Sequence, residues 1–361
     1  MKAIIAATTL LIAAVVTVAA GFETGAMQAP VAPPLLSQTG LYAGEGTLQI
    51  DSRNRPFSPQ YPLWSDGAAK RRWIRLPEGA AIDATDLSRW EFPIGTRFWK
   101  EFSFDGHKVE TRFLCRVSKE QWVFASYAWN EAQSDASLSP DSGIPNIMEV
   151  APGKRHSIPS IAECRSCHDS ARTEILGFDA LNLSDDRDPN APHAEPLTGE
   201  MITLRTLTEE GLLTPRRTAL VTQPPRINAE SPQARAALGY LSTNCGSCHN
   251  RESSIASLGL ILKHSFTERR GECTAALATT AGKRGHWVVP EAQEASRIIN
   301  PGHPESSALI RRVKSRRPSS QMPPLGTVLV DRQAVDLLTS WVQSNTEEWK
   351  TTIARCAGQG S

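Results

Sequence analysis

Cys164-Arg165-Ser166-Cys167-His168 and Cys245-Gly246-Ser247-Cys248-His249 are the most informative strings in this chain of 361 residues. Two cysteines three positions apart on one helical turn face the same side, so both thiols of a string reach the same ligand. The histidine that follows brings an imidazole to that ligand. In an exported protein this pattern attaches c-type haem through two thioethers, with the histidine bound to the iron. The repeat therefore predicts two covalently bound haem c groups.

Each position of the two strings has an expected role. Paired zinc knuckles usually lie about 15 to 20 residues apart, and these cysteine pairs are far more widely spaced, which disfavours structural zinc. A thioredoxin-like redox pair would need a βαβ context, whereas the sequence around both strings predicts helix and Pro-rich loop. We expect four thioether cysteines and two proximal iron ligands, namely Cys164, Cys167, Cys245 and Cys248 for the former and His168 and His249 for the latter.

The ligand on the opposite side of each iron decides the redox behaviour. A thioether there suits outer-sphere electron transfer, whereas an open site lets peroxide or oxygen bind. Two prolines stiffen the loop at residues 321–326, which predicts Met322 as the distal ligand of the second haem. For the first haem we expect His193, on a stiff loop after the first string. Met201, His156 and an open site are the alternatives.

The N-terminus indicates export. Met1 and Lys2 precede an uncharged apolar run from Ala3 to Ala20, which is typical of a secretory signal peptide. We place this peptide at residues 1–26, with an uncleaved N-terminal anchor as the alternative. No later segment is apolar enough to span a bilayer, so we expect a periplasmic or otherwise exported protein without a membrane span after cleavage.

Charge and the remaining cysteines set further limits. The chain has 39 Lys and Arg against 38 Asp and Glu, which gives no basis for a nucleic-acid partner.

In an oxidising compartment Cys273 and Cys356 could close a disulfide, leaving Cys115 as a buried strand thiol. The sequence alone does not decide that pairing.

The fold class we predict is multidomain, with a β-rich N-terminal domain followed by mainly α haem-binding segments. Alternating runs bounded by Gly and Pro predict strands, and hence a β-rich domain at residues 35–140. Residues 141–213 form the first haem c segment, and Pro140 to Pro159 is a connector that leads into the first string. A capping box of Ser160 and Glu163 then starts the helix that carries the first string.

The last two segments follow from proline and helical periodicity. Residues 214–232 are a Pro-rich linker. Residues 233–357 form the last segment, with a helix that starts at Pro232, the second haem string and an amphipathic helix from Asp331 to Trp349. This order of elements resembles a small cytochrome c domain, so we expect a cytochrome c-like domain with the second haem. A basic run precedes the Met322 loop and has three interpretations: pairing with haem propionates, docking of an acidic partner, or a solvated helix face. Its members are Arg311, Arg312, Lys314, Arg316 and Arg317.

Two resemblances follow from these residues. The segment from Ser231 to Ala357 resembles the small cytochromes c, whose distal loop is similar to the Met-Pro-Pro string. From about Leu36 to Cys356 the chain resembles a family of exported bacterial di-haem proteins of largely unassigned role. This second resemblance implies haem c binding and electron transfer and supplies no substrate. It rests on both haem strings and on residues 62–68, 92–96, 129–132 and 158–160.

The expected function is that of a periplasmic di-haem c-type cytochrome. It would transfer electrons to or from a partner protein, namely a dehydrogenase, an oxidase or a small electron carrier. We expect an electron-transfer protein rather than a catalyst, and we assign no catalytic residue. One alternative is a di-haem peroxidase or oxidase with an open first haem. Another is a docking subunit of a periplasmic dehydrogenase, attached through the β-rich domain.

Overall fold

A computed structural model describes residues 32–44, 46–170, 175–266, 268, 273–344 and 346–358. The predicted signal peptide at residues 1–26 lies outside this part of the chain. The described residues belong to one compact unit that begins at Ala32. None of the helices within these ranges is long and apolar enough to cross a membrane.

The unit contains ten strands and eight α-helices within the described ranges. The strands are β1 (Arg55–Pro56), β2 (Ala69–Arg75), β3 (Ile82–Asp83), β4 (Arg97–Phe104), β5 (His107–Arg116), β6 (Trp122–Trp129), β7 (Ala136–Leu138), β8 (Ile144–Ala151), β9 (Lys154–Ile158) and β10 (Leu213–Thr214). The helices are α1 (Ile161–His168), α2 (Leu204–Glu209), α3 (Ala219–Thr222), α4 (Pro232–Asn244), α5 (Ala275–Thr280), α6 (Ala308–Lys314), α7 (Arg332–Gln343) and α8 (Thr346–Gly358).

A six-stranded antiparallel sheet, in the order β1-β2-β4-β5-β6-β7, dominates the N-terminal half. Its strands alternate aromatic with polar residues, the pattern that predicted a β-rich region, and that prediction is confirmed. One face packs around Trp99, which pairs across strands with Phe113, and is covered by Leu36 and Leu41. The other face requires a second covering layer.

That second face carries both apolar and charged side chains. Ile74, Phe98 and Trp122 lie in a buried cluster that is completed by residues from 175 to 220, including Phe178 and Leu204. The parallel bridge between β3 and β10 ties the predicted linker at 214–232 to the sheet region. Because this core combines residues of three predicted segments, it extends across their borders, and the division into those segments stays a prediction.

Residues 140–159 differ from the expected connector, and that prediction is wrong. Strands β8 and β9 form an antiparallel hairpin in which Met148 pairs with His156. Gly and Pro at short intervals suggested a loop, but Pro152 and Gly153 occupy the turn between the strands, where Gly153 has a φ of +68°. The hairpin leads directly into α1.

The C-terminal half is built on α4, which packs against α7. Helix α4 starts at Pro232 as predicted, and Ser231 Oγ accepts the N–H of Ala234 at 3.2 Å. The prediction of a single terminal helix that reaches Trp349 is wrong, because the helix ends at Gln343. Ser344 takes an extended conformation at the end of α7, and its hydroxyl donates to the carbonyl of Trp341 at 2.7 Å, so a separate helix α8 follows.

The three cysteines outside the haem strings are now placed. Cys273 and Cys356 form a disulfide, which confirms that pairing and ties the segment before α5 to α8. Cys115 is a free, half-buried thiol on β5, and burial raises its pKa.

Tyr61 joins the sheet region to the helical core. Its side chain is 1% exposed, packs with residues of α4 and α7, and donates from its hydroxyl to Asp188 Oδ2 at 3.0 Å. A Cβ at Gly239 on α4 would overlap the Tyr61 ring. Glycine is therefore required at position 239 by close approach and not by backbone conformation.

Replacing Gly239 with Ala is expected to lower the free energy of unfolding by about 1–3 kcal/mol, because overpacking of a fixed ring outweighs the gain in helix propensity. Urea unfolding of the variant measures the change. Gly199→Ala is the control, since a Cβ there meets open space. Combining Gly239→Ala with Tyr61→Ala should remove the penalty specific to position 239. Equal stability of Gly239→Ala and the parent chain would contradict the packing.

Candidate haem-binding site

The first haem string lies on α1, at the end of the hairpin. Ser160 and Glu163 form the predicted capping box, with Ser160 N donating to Glu163 Oε2 at 2.9 Å and Glu163 N donating to Ser160 Oγ at 3.2 Å. The cap starts the helix that places Cys164 and Cys167 one turn apart. The His168 ring lies 5.1 Å from the ring of Phe124 on β6, measured between centroids. The string therefore packs on the second face of the sheet.

The second string forms the turn that ends α4. Cys245 follows the last residue of the helix, and its carbonyl accepts the N–H groups of Cys248 at 3.1 Å and His249 at 2.8 Å. These bonds keep both cysteines on one turn beyond the regular helix. A Cβ at Gly246 would overlap the carbonyl oxygen of Ser242, so the tight turn depends on glycine. Burial raises the pKa of Cys245 to about 12.

The two strings contact each other. A hydrogen bond between the thiols of Cys167 and Cys248 raises the pKa of Cys167. Asn250 Nδ2, directly after the second string, donates to the carbonyl of Ser170 at 2.9 Å, just after the first. All four string thiols are free, whereas Cys273 is in a disulfide. Two pairs of available thiols therefore lie side by side.

His249 gives a direct test of whether this site fits haem. Its side chain is 9% exposed, and its Nδ1 is buried without a hydrogen-bond partner. Burial, and then the charge of Arg312, lower its pKa, so the imidazole is neutral at pH 7, the form that binds metals. An unpaired polar atom in a buried site is costly. A neutral imidazole beside two thiols on one turn fits the donor set of haem c.

Met322 lies in a loop that α6 holds near His249. The N–H of Met322 donates to the carbonyl of Arg312 at 3.0 Å, and Arg312 is the residue whose charge acts on His249. Arg312 Nε also donates to Ser320 O at 3.1 Å, and Arg316 Nη2 donates to Leu329 O at 2.6 Å. Two members of the basic run therefore fix the backbone of this loop. The assignment of Met322 as a ligand remains a prediction.

Two histidines considered for the first haem have other partners. His193 Nε2 lies 2.8 Å from Oδ1 of Asp331, the residue that caps α7, and its ring stacks 4.9 Å from Trp64. His156 is buried between two carboxylates, with Nδ1 at 3.4 Å from Asp66 Oδ2 and Nε2 at 3.2 Å from Glu110 Oε1. Iron binding at His156 would require breaking one of its contacts, because both ring nitrogens are engaged, whereas the contact of His193 with Asp331 occupies Nε2 alone. The distal residue of the first haem stays open.

A buried network of charged side chains runs from the first string to the segment after the Met322 loop. Glu110 is fully buried and forms an ion pair with Arg112 at 2.7 Å. Burial raises the pKa of Cys164, and the positive charge of Arg112 offsets part of that increase. On the other side, Asp66 accepts the backbone N–H groups of Val328 and Leu329 at 2.8 Å each, beyond the Met322 loop. Neighbouring charges therefore connect both parts of the site.

Asp66, Glu110 and Arg112 were not among the predicted site residues. The only signal for two of them was a charge at an inward position of a strand, since Glu110 and Arg112 share a face with Leu114. For Asp66, which lies in the loop before β2, nothing in the sequence indicates its distant partners.

Among the described residues, no three His, Cys, Asp or Glu side chains converge as ligands of a metal ion, so the zinc alternative gains no support there. Haem c needs no such cluster, because thioethers and axial ligands hold it.

Comparison of the chain with protein-family models, curated proteins and solved structures found no match.

The buried His156 predicts a specific dependence of stability on pH. Burial lowers the pKa of His156, but hydrogen bonds to Asp66 and Glu110 outweigh it and leave the pKa raised above 6.5. A raised pKa means that the charged form stabilises the folded state below pH 6.5 and that this contribution is lost as the pH rises through the folded-state pKa. Arg112 opposes the shift without reversing it.

We therefore expect His156→Gln to destabilise the protein by up to about 3–5 kcal/mol at pH 5–6, because it removes one partner of buried ion pairs. The difference from the parent chain should shrink as the pH rises above 6.5 and through the raised folded-state pKa of His156. Urea unfolding across this pH range measures it. His303→Gln, at an exposed pair with Glu305, is the control. A stability difference that is constant or grows with pH would contradict the prediction.

Proposed function

We propose that this chain is an exported di-haem c-type cytochrome that passes electrons to or from a periplasmic redox partner. The observation that carries the proposal is the contact between two Cys-x-x-Cys-His turns, each with both thiols free. Haem c supplies reversible one-electron transfer at its iron. Two such groups attached at touching turns would form a relay within one protein.

The protein residues have separate tasks in this proposal. Cys164 and Cys167 would anchor the first haem and Cys245 and Cys248 the second. Their histidines would bind the irons, and the partnerless Nδ1 of His249 supports that role for the second string. The main-chain hydrogen bond from the Met322 N–H to Arg312 on α6 would help to hold the Met322 sulfur in position before iron binds. Preorganisation of this kind favours electron transfer, because little rearranges between oxidation states.

A second candidate is a di-haem peroxidase or oxidase whose first iron has an open site. One observation favours it, since His193 and His156 both contact carboxylates. Without an imidazole ligand from either residue, the first iron would accept peroxide. Spectroscopy of the resting protein separates the candidates. A high-spin haem with peroxide turnover supports the enzyme, and two low-spin haems without turnover support the relay.

The proposal predicts two covalent haems per chain in protein exported from cells that attach haem c. The double variants Cys164→Ala/Cys167→Ala and Cys245→Ala/Cys248→Ala should each lose one haem, as measured by intact mass and by the haem absorbance per chain. Cys115→Ala should keep both, because that thiol lies outside the strings. A colourless parent protein with the mass of the bare polypeptide would refute the proposal.

Met322→Ala should lower the reduction potential of one haem and change its spin state, because a thioether ligand raises the potential and keeps the iron low-spin. A redox titration followed by visible spectroscopy measures both. Met148→Ala, on β8, is the control and should leave both haems unchanged. The ligand assignment is wrong if the spectrum and both potentials of Met322→Ala match those of the parent protein.

A further inference from the structure

A row of cations crosses the second face of the sheet beside the first haem string. Arg72 on β2 pairs directly with Lys100 on β4, and Lys100 pairs directly with Arg112 on β5. Lys70 lies two residues before Arg72 on the same face. Like charges in directly opposite positions of an antiparallel sheet destabilise it. We call these four residues the cationic row.

Only part of this charge is balanced within the protein. Arg72 pairs with Glu195 at 2.8 Å and Arg112 with Glu110 at 2.7 Å. Neither Lys70 nor Lys100 has a carboxylate within 4 Å among the described residues. Within 4 Å, four cations against two carboxylates leave an excess of two positive charges, and Asp331 acts on Lys70 only from a greater distance. His156 and Asp66 are a further pair of opposite sign, so they do not change this excess.

The cationic row is partly withdrawn from water, since Arg72 is buried and Lys70, Lys100 and Arg112 are half-buried. Arg72 is 5% exposed, and its Nη2 is buried without a hydrogen-bond partner although Nη1 is paired. The Lys100 Nζ lies 4.8 Å from the centroid of the fully buried Phe102 ring, and the Arg112 guanidinium lies 4.5 Å from the same ring. Burial, and then Arg72, Lys70 and Arg112, hold the pKa of Lys100 well below its usual range. A bound anion would reverse this penalty.

The cationic row shares its sheet face with the first haem string. Phe124, which contacts His168, lies on the neighbouring strand β6, where Ser126 pairs directly with Arg112. Arg112 also acts electrostatically on both thiols of α1, Cys164 and Cys167. The anion that this face accommodates is therefore next to the place where the first haem would be attached.

We propose that the cationic row is a carboxylate-binding site that receives the two propionates of the first haem. The inference rests on the proposed function, and it goes further by making the β-rich region part of the haem site. Two propionates carry two negative charges, which match the excess. Lys100, at the centre of the row, would contribute most, and the free Nη2 of Arg72 would donate a hydrogen bond. A free dicarboxylate has the same chemistry and is the competing source.

The test uses the haem-loaded, full-length protein with Lys100→Met, which removes the charge and keeps the length of the side chain. A cation near a haem favours the reduced form, because reduction removes one positive charge. We expect the equilibrium constant for reduction of one haem to fall about tenfold, which is 59 mV for a one-electron couple, with the other haem unchanged. Lys100→Arg should restore the potential, and Lys70→Met should shift it in the same direction if Lys100→Met fails to fold.

Arg71→Gln is the matched control. Arg71 lies next to Arg72 in sequence but points to the opposite face and has a side chain that is 63% exposed. It should leave both potentials unchanged. Potentials that are identical in Lys100→Met, Lys70→Met and the parent protein would overturn the proposal, as would an equal shift in Arg71→Gln.

A second arm distinguishes the two sources of carboxylate. Thermal unfolding of the parent protein and of Lys100→Met is followed in increasing concentrations of succinate. If propionates fill the site, succinate changes both midpoints equally. If succinate stabilises only the parent protein, the site takes a free dicarboxylate and the haem assignment is overturned. Should the exported protein contain no haem, the proposed function fails, and the succinate arm still reports whether the cationic row binds carboxylates.

Discussion

The buried carboxylate of Asp66 holds the parts of the site together. One of its oxygens accepts the backbone N–H groups of Val328 and Leu329, and the other faces Nδ1 of His156. Asp66 is 4% exposed, so its charge is tolerated only while these partners are in place. A single side chain thereby fixes the sheet region, the hairpin before the first string and the loop after Met322 against one another.

Charged contacts of this kind specify position more strictly than apolar packing does. An apolar core tolerates small shifts as long as its volume stays filled, whereas a buried ion pair loses its compensation when the partners separate. Glu110 and Arg112 continue this network toward Cys164. The positions of the side chains around Cys164 are therefore constrained in the same way. The placement of the first string relative to the segment after the Met322 loop therefore depends on polar groups.

Local patterns in the sequence predicted much of the fold. The capping box at Ser160, the helix start at Pro232 and the alternating strands are each set by neighbours within a few residues, and all are present. The hairpin at residues 140–159 was missed because Gly and Pro serve equally in loops and in tight turns. The bond from Val328 to Asp66 spans 262 positions, and no local rule reaches that far.

The position of the cations bears on what the β-rich region does. A surface that docks an acidic protein needs exposed cations, and Arg311 and Lys314 on α6 meet that requirement. Arg72 is buried and Lys100 is half-buried on the sheet face, so neither presents the fully exposed charge that such a partner needs. Folding alone gives no reason to place like charges opposite each other at inward strand positions, because the arrangement destabilises the sheet. A small anion that enters from the side of α1 would remove this conflict. Under the proposed function, the sheet would form one wall of the first haem site and not a separate docking module.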